Sequence, residues 1–464
     1  MTGIDPFVKG KKVLLLGFGR EGRSTYRMLR KSRVYQALAV ADLEDKSGQL
    51  EEGIPFITGP GYQKVMDEYD VVFKSPGIVL ERPAQEYGCQ ILSQTEVFFR
   101  LYRDQIIGIT GTKGKSTTST LMYHIFRSAG RKTILAGNIG IPAFDHMDEI
   151  QKDTDIIFEL SCHQLEHITE SPHIGVLLNI YEEHLDHYGT MERYVASKQQ
   201  IYKNQNEQDI LLCNRQCFPK EGACCSRVIP AEDFGQKEKH DASVRQEGLQ
   251  LFGREICWGE NRFLIPEQGI PLLGHHNYFD IAFVYAVCKI KGITDEAFLE
   301  GLRTYEPLPH RLQFLGEQDG IFYYDDSIST ICNTTIQALE TLKNTDTVLI
   351  GGMDRGINYE ELIRYLSLSP VSHIILMEDT GKRIYEEIQS GYPDFQNPGR
   401  LVLTAHLEDA VCQAKKLTKR GKCCVLSPAA ASYGIFRNFE ERGEAFKALV
   451  LTKNSKYHKK ITSF

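Results

Sequence analysis

The stretch Ile106-Ile107-Gly108-Ile109-Thr110-Gly111-Thr112-Lys113-Gly114-Lys115-Ser116-Thr117 decides how the chain is read. An apolar run, a glycine turn and a helical pattern from Leu121 to Ala129 give the order strand, loop, helix. In such a loop several backbone amides can face phosphate oxygens, Lys115 can reach the outer phosphates, and the hydroxyl of Ser116 or Thr117 can bind Mg2+. Strict Walker spacing would put glycine at 109, where this chain has Ile109, so the loop is a variant. A ligand-free turn is the bland alternative, and Gly-Lys-Ser-Thr between a strand and a helix argues against it.

The same order occurs upstream. Val13-Leu14-Leu15-Leu16 runs into Gly17-Phe18-Gly19-Arg20-Glu21-Gly22 and a helix carried by Tyr26 and Leu29. Gly17-x-Gly19-x-x-Gly22 fits NAD, and equally any nucleotide diphosphate on a helix N-terminus. A second strand, Leu38 to Ala41, ends at Asp42, where a dinucleotide fold places the acid that reads a ribose. A third, Asp70 to Phe73, leads into Lys74-Ser75-Pro76-Gly77. Two nucleotide sites in succession suggest a substrate that carries its own nucleotide.

Downstream, Ile156 to Phe158 ends at Glu159, and Val176 to Leu178 leads into the segment holding His184. A carboxylate and an imidazole beside a phosphate loop suit Mg2+. Lys198, on an expected helix from Met191 to Ile201, reads by itself as a solvated helix lysine. Strands at Thr347 to Ile350, Ile374 to Leu376 and Cys424 to Leu426 repeat the α/β pattern after a linker at Tyr305 to Arg311. The expected fold is α/β with three domains: 1–96, 97–304 and 305–464.

Composition agrees. At roughly 150 residues per domain, 464 residues suffice for about three domains. Apolar residues at 42% and charged residues at 25% are ordinary for a globular protein. A net charge of −7 without a basic tail speaks against nucleic acid. No run approaches the ~20 apolar residues of a membrane span, and the first residues lack a signal-peptide core, so a cytoplasmic location is expected. The 12 cysteines then read as reduced thiols, and neither Cys224–Cys225 nor Cys423–Cys424 has zinc-motif spacing.

Residues 108–117 occur in one order with Gly137-Asn138-Ile139-Gly140, Glu159-Leu160-Ser161, Glu183-His184-Leu185-Asp186 and Lys198. Gly274-x-His276-Asn277, Leu308-Pro309-His310-Arg311, Asp326-Ser327 and Ser427-Pro428 follow. Over nearly its whole length the chain resembles the glutamate-adding Mur ligases. The resemblance implies a Rossmann-like UDP-binding domain, a P-loop ATPase-like central domain and a Rossmann-like C-terminal domain that takes glutamate. It implies ATP-dependent ligation of glutamate to UDP-N-acetylmuramoyl-L-alanine through an acyl phosphate, by a monomer. UDP-substrate residues would be Gly17, Gly19, Arg20, Gly22, Asp42, Ser75, Pro76 and Gly77. ATP would be held by Gly111, Thr112, Lys113, Gly114, Lys115, Ser116, Thr117, Asn138 and Asn277, with Arg311 and Asp326 reaching it on closure. Lys115, His184 and Lys198 would be catalytic, and Ser116, Glu159, His184 and Lys198 would serve Mg2+. Lys198 would be carbamylated, giving an anion that supports a second Mg2+. Glutamate would meet Ser327, Thr330, Arg355, Ser432 and Phe439.

Some positions depart from the pattern. Asp326-Ser327 is followed by Ile328-Ser329-Thr330 where D-glutamate-adding ligases usually carry lysine and alanine, and Arg355 stands where lysine is usual. With Lys74-Ser75-Pro76-Gly77 and Gly19-Arg20-Glu21-Gly22-Arg23, these residues resemble the subfamily that adds L-glutamate, so both enantiomers stay open. Asp280 replaces an asparagine of the adenine-contacting motif. The rival readings are a nicotinamide oxidoreductase, a folylpolyglutamate synthetase-like ligase and a non-catalytic Mur-like partner protein.

Overall fold

The computed structural model describes residues 3–235, 247–272, 274–392, 395 and 398–452. Three sheets occupy successive stretches of the chain. In the first, β1 (Lys12–Leu16), β2 (Ala37–Asp42), β3 (Phe56–Thr58), β4 (Val71–Lys74) and β5 (Gln90–Leu92) are all parallel, in the order 3-2-1-4-5. The order reverses beside β1, so the loops after β1 and β4 open onto one crevice at the carboxyl edge. Gly17 and Ser75 stand at its two sides, joined by a 3.1 Å hydrogen bond from Ser75 Oγ to Gly17 O.

The second sheet holds β6 (Ile106–Thr110), β7 (Thr133–Gly137), β8 (Asp155–Glu159), β9 (Ile174–Leu177), β10 (Ile210–Asn214) and β11 (Arg227–Asp233). It continues with β12 (Leu249–Phe252), β13 (Glu255–Trp258) and β14 (Asn261–Leu264), which form an antiparallel edge. The order is 14-13-12-11-10-9-6-8-7. β6 is buried throughout, as expected for a parallel strand covered on both faces. It lies between β8 and β9, so the loops after those strands flank the phosphate loop. The helix expected from Leu121 begins earlier, at Lys115, because Gly114 at φ +83° turns the chain directly into it.

The third sheet comprises β15 (Gln313–Gln318), β16 (Ile321–Asp325), β17 (Thr345–Gly351), β18 (His373–Met377), β19 (Leu401–Thr404) and β20 (Cys423–Leu426), in the order 15-16-20-17-18-19. Only β15 runs antiparallel to its neighbour.

The chain divides into two compact bodies, Met1–Ile270 with Asn277–Tyr305, and Pro271–His276 with Glu306–Phe464. The first two sheets therefore share one body. A division after residue 96 falls inside the helix Gln94–Tyr102, whose Phe98 and Phe99 rings pack 5.7 and 5.4 Å from Phe158 of β8. One hydrophobic core runs from Val13 and Leu15 through these rings to Leu177 and Leu211. Among the described residues no helix is long and apolar enough to cross a membrane.

Gly22 ties the first turn of the helix Arg20–Ser32 to the β1 loop, since a Cβ there would overlap the Gly17 carbonyl oxygen. Neither backbone can yield cheaply. Gly22→Ala should cost about 1–3 kcal/mol in urea unfolding, the range for forced overpacking; a cost below ~0.5 kcal/mol would mean that the loop relaxes freely.

Candidate active site

The phosphate loop is shaped by side chains from neighbouring strand ends. Asn179, just beyond β9, accepts at Oδ1 from the amides of Thr112 (3.0 Å) and Lys113 (2.8 Å), and donates from Nδ2 to Lys113 O (3.0 Å). Thr112 Oγ1 meets Tyr194 Oη at 3.0 Å, and Lys113 Nζ pairs with Glu183 at 2.8 Å. Gly114 lies so close to Asp280 that a Cβ would press on its carboxylate. Asn277 stands one turn before Asp280 on the helix His275–Ile290, at the same face. Asn179, Tyr194 and Glu183 received no role from the sequence. The position of Asn179 at the carboxyl end of an apolar run was the available signal.

Two lysines converge on one main-chain oxygen. Lys115 Nζ donates to the carbonyls of Gly111 and Thr112, each at 3.0 Å, and Lys198 Nζ to Gly111 at 2.8 Å. Lys198 is only 1% exposed, which overturns its reading as a solvated lysine. Its helix, Met191–Lys203, carries Tyr194, Ser197, Ile201 and Tyr202 into the interior on the same side. Burial, reinforced by the charge of Lys115, pushes the Lys198 amine down to about 7. Burial also lowers Lys115, against opposing pulls from Glu159 and Glu183.

Glu159 ends β8 and is fully buried. Its Oε1 accepts from Asn138 Nδ2 at 2.7 Å, while Oε2 is buried without a hydrogen-bond partner. Asn138, expected at the ATP phosphates, thus spends its amide on Glu159. A partnerless carboxylate oxygen at the carboxyl edge beside the phosphate loop is a fitting ligand for a divalent cation. His184, at φ +58°, packs its ring 5.3 Å from His163 and 6.1 Å from Tyr194. Burial and the nearby His187 and His184 push His163 down to about 4, keeping it neutral. The side chains of Leu185 and Asp186 lie outside the described residues.

In the first sheet's crevice, Gly17 sits at φ +94° with no room for a Cβ, whereas Gly19, which caps the helix, faces open space. Arg20 bonds the carbonyl of Gly140, and Pro76 and Gly77 extend the rim beyond Ser75. Asp42 accepts from the amides of Phe18 (2.6 Å) and Glu44 (3.0 Å) and from Lys46 (3.1 Å). Burial would raise its pKa, but these bonds outweigh burial and hold it below the usual carboxylate range. Asp42, expected at the nucleoside, braces the glycine loop.

In the second body, Asp326 accepts from Ser329 Oγ (2.5 Å), Ser427 Oγ (2.7 Å) and the amide of Leu312 (3.1 Å), and burial lifts it to about 7. Ser327 is fully buried; its hydroxyl donates to Phe439 O (2.8 Å) and accepts from Arg442 Nε (3.0 Å). Both residues are occupied internally. Arg355 is exposed and bonds Thr330 O at 3.2 Å, so these two of the expected glutamate residues meet. Ser432 is buried, and Phe439 opens the helix Phe439–Leu451 with its ring 6.3 Å from His310. Arg311 follows His310, whose Nδ1 lies 2.6 Å from Asp325.

The fold is that of solved Mur ligases. A MurF ligase from Thermotoga maritima, solved with ADP, superposes with a TM-score of 0.58 at 16% identity over 96% of each chain. The MurC ligase of the same organism gives 0.55 at 17%, over 94% of this chain and 98% of its own. Residues 109–288 match the Mur ligase middle domain. A protein of Streptococcus agalactiae serotype III named UDP-N-acetylmuramoylalanine–D-glutamate ligase is 33% identical over 452 residues, covering 94% of this chain and 96% of that one. One so named from Caldanaerobacter subterraneus subsp. tengcongensis is 31% identical over 466 residues, covering 96% and 99%. The chain belongs to the Mur ligase family, alongside its UDP-N-acetylmuramoylalanine–D-glutamate ligases.

The lowered Lys198 pKa has a measurable sign. Between about pH 7 and the ~10.4 of an unfolded lysine, the unfolded chain holds a proton that the folded one lacks, so this group makes stability rise with pH. Below pH 7 its full burial cost is felt. Comparing urea midpoints of the wild type and Lys198→Met from pH 7 to 10 should reveal this slope only in the wild type; equal slopes would mean an ordinary, charged lysine.

Proposed function

We propose that this chain joins glutamate to the lactoyl-alanine carboxylate of UDP-N-acetylmuramoyl-L-alanine at the expense of ATP, in peptidoglycan precursor synthesis. The observation that carries this reading is the partnerless Oε2 of Glu159, buried at a sheet edge shared with the buried Lys198, the half-buried Lys115 and a phosphate loop. The names of the relatives at 31–33% identity support the choice of substrates. In this reading residues 1–96 hold the UDP substrate around Gly17, Gly19, Arg20, Gly22 and Ser75-Pro76-Gly77. Residues 97–304 hold ATP, and residues 305–464 hold glutamate.

The open backbone at Gly19 lets a diphosphate approach the N-terminus of the helix Arg20–Ser32. The amides of residues 111–117 cradle the ATP phosphates, and a polyphosphate beside Lys115 favours its charged form against the lowering that burial imposes. Lys115 then offsets the repulsion between the substrate carboxylate and the γ-phosphate as the acyl phosphate forms. Mg2+, held by Glu159, Ser116, His184 and the modified Lys198, would supply further compensation for phosphate charge. Lys198, with its amine pushed down to about 7, carries a large neutral fraction near neutral pH that can add to CO2. Its nitrogen bonds the carbon, one proton leaves to water, and a carbamate anion replaces the amine. Glutamate, its carboxylate clamped by Arg355 beside Thr330, Ser432 and Phe439, attacks the acyl phosphate through its amine, and phosphate departs.

ATP consumption with UDP-N-acetylmuramoyl-L-alanine and each glutamate enantiomer tests the reaction. D-glutamate should support turnover. Turnover with L-glutamate alone would reverse the stereochemistry and give the Ile328-Ser329-Thr330 segment its meaning, while turnover with neither would remove the proposal. Lys198→Ala should lose about two to three orders of magnitude in kcat, the scale of one lost electrostatic contact in a preorganised site. Added formate or acetate should restore part of that loss if a carbamate is the missing anion; full activity without rescue would return Lys198 to a packing role.

A further inference from the structure

We infer that Cys162, His163 and His184 form a binding site for a zinc-class divalent ion. One ligand atom from each, a sulfur and two ring nitrogens, lies within 4.8 Å of the others. His163, Glu166 and His187 form a second such group around the same His163, whose ring centroid is 4.3 Å from that of His187. The residues come from two segments, the short helix Cys162–Leu165 after β8 and the turn and helix Leu185–Tyr188 after β9, on either side of the phosphate loop.

Three features separate this cluster from chance packing. The Nδ1 of His163 is buried and has no hydrogen-bond partner. Cys162 is 2% exposed and packs with Tyr188 and Tyr194, while His184 on the outer side of the cluster is exposed and gives an ion its way in. The donor set is also specific: one thiolate with two imidazoles suits tetrahedral zinc, whereas Mg2+ prefers oxygen ligands. The adjoining group of Glu166 and His187, 3.4 Å apart, meets the cluster only through His163, so the fourth position of a tetrahedral ion is left to solvent.

The site would have a regulatory consequence, which rests on the ligase reading above. His184 is shared. An imidazole bound to a soft ion through one nitrogen has its ring plane fixed and cannot turn to serve the nucleotide's Mg2+. Zinc should therefore inhibit the ligase at concentrations far below those of Mg2+, and Mg2+ should not reverse the effect simply by outnumbering it at the cluster.

Full-length protein stripped with EDTA is titrated with Co2+ and then Zn2+. We expect a thiolate-to-cobalt absorption band at one ion per chain, discharged by Zn2+, absent in Cys162→Ser and weakened at least about tenfold in affinity in His163→Phe. Wild-type protein with no such band, or Cys162→Ser with an undiminished one, overturns the site; thermal melts establish that both variants fold. In the glutamate ligation assay at saturating Mg2+, Cys162→Ser should keep wild-type turnover and need at least about tenfold more Zn2+ for half inhibition. Equal inhibition of both proteins overturns the regulatory part. Absence of ligation in every protein counts against the ligase reading, and the cobalt band still decides the metal site.

Discussion

The side-chain amide of Asn179 holds the main chain between β6 and the following helix in a shape that neither strand nor helix would adopt. By taking the amides of Thr112 and Lys113 and returning a bond to Lys113 O, it occupies the groups that would otherwise close a turn. The Gly111 carbonyl is left facing inward, where Lys115 and Lys198 both reach it. Two basic groups on one oxygen, one buried and one half-buried, cannot both keep an ordinary proton affinity, and burial lowers each. Loop geometry thus leads to lysine chemistry: an anion arriving at the loop would favour the charged form of Lys115, against the lowering that burial imposes.

The first sheet solves the same problem with a different residue. Asp42, at the end of β2, takes the amide of Phe18 and so fixes the glycine turn after β1, much as Asn179 at the end of β9 fixes the turn after β6. In both, the brace comes from the next strand over and leaves the helix N-terminus free. The energetic logic is preorganisation: the donors are aimed before the anion arrives, and no ordering cost falls on the binding step.

The glycine loops and the strands and helices that flank them were legible because each is a local pattern: an apolar run, glycines at fixed spacing, then helical periodicity. What escaped the sequence depends on contacts between distant residues. Lys198 carries no mark that separates it from a surface lysine until Tyr194, Ser197 and Ile201 are seen to turn inward on the same helix. Asp42 and Asn138 were of the right type in the right place, yet their polar atoms go to the protein itself, to the Phe18 amide and to Glu159. Ser327 and Asp326 likewise face partners more than 100 residues away in Arg442 and Ser427, which no local spacing reveals. The cluster of Cys162, His163 and His184 draws on segments after two different strands, so it shows no ligand spacing along the chain.

The continuous core beneath the first two sheets bears on how such a protein can evolve. Phe98 and Phe99, from a helix that follows the last strand of the first sheet, are packed against Phe158 of the second, and Phe73 of β4 meets Phe144. The opening hundred residues are therefore not a cassette. A crossover that exchanged them for the corresponding piece of a distant relative would pair aromatic surfaces that had never been fitted to each other, and the hybrid would start with a fractured interior. New specificity at the first crevice is more accessible through single substitutions on its rim, at positions such as Arg20, Pro76 or Gly77, than by shuffling whole modules.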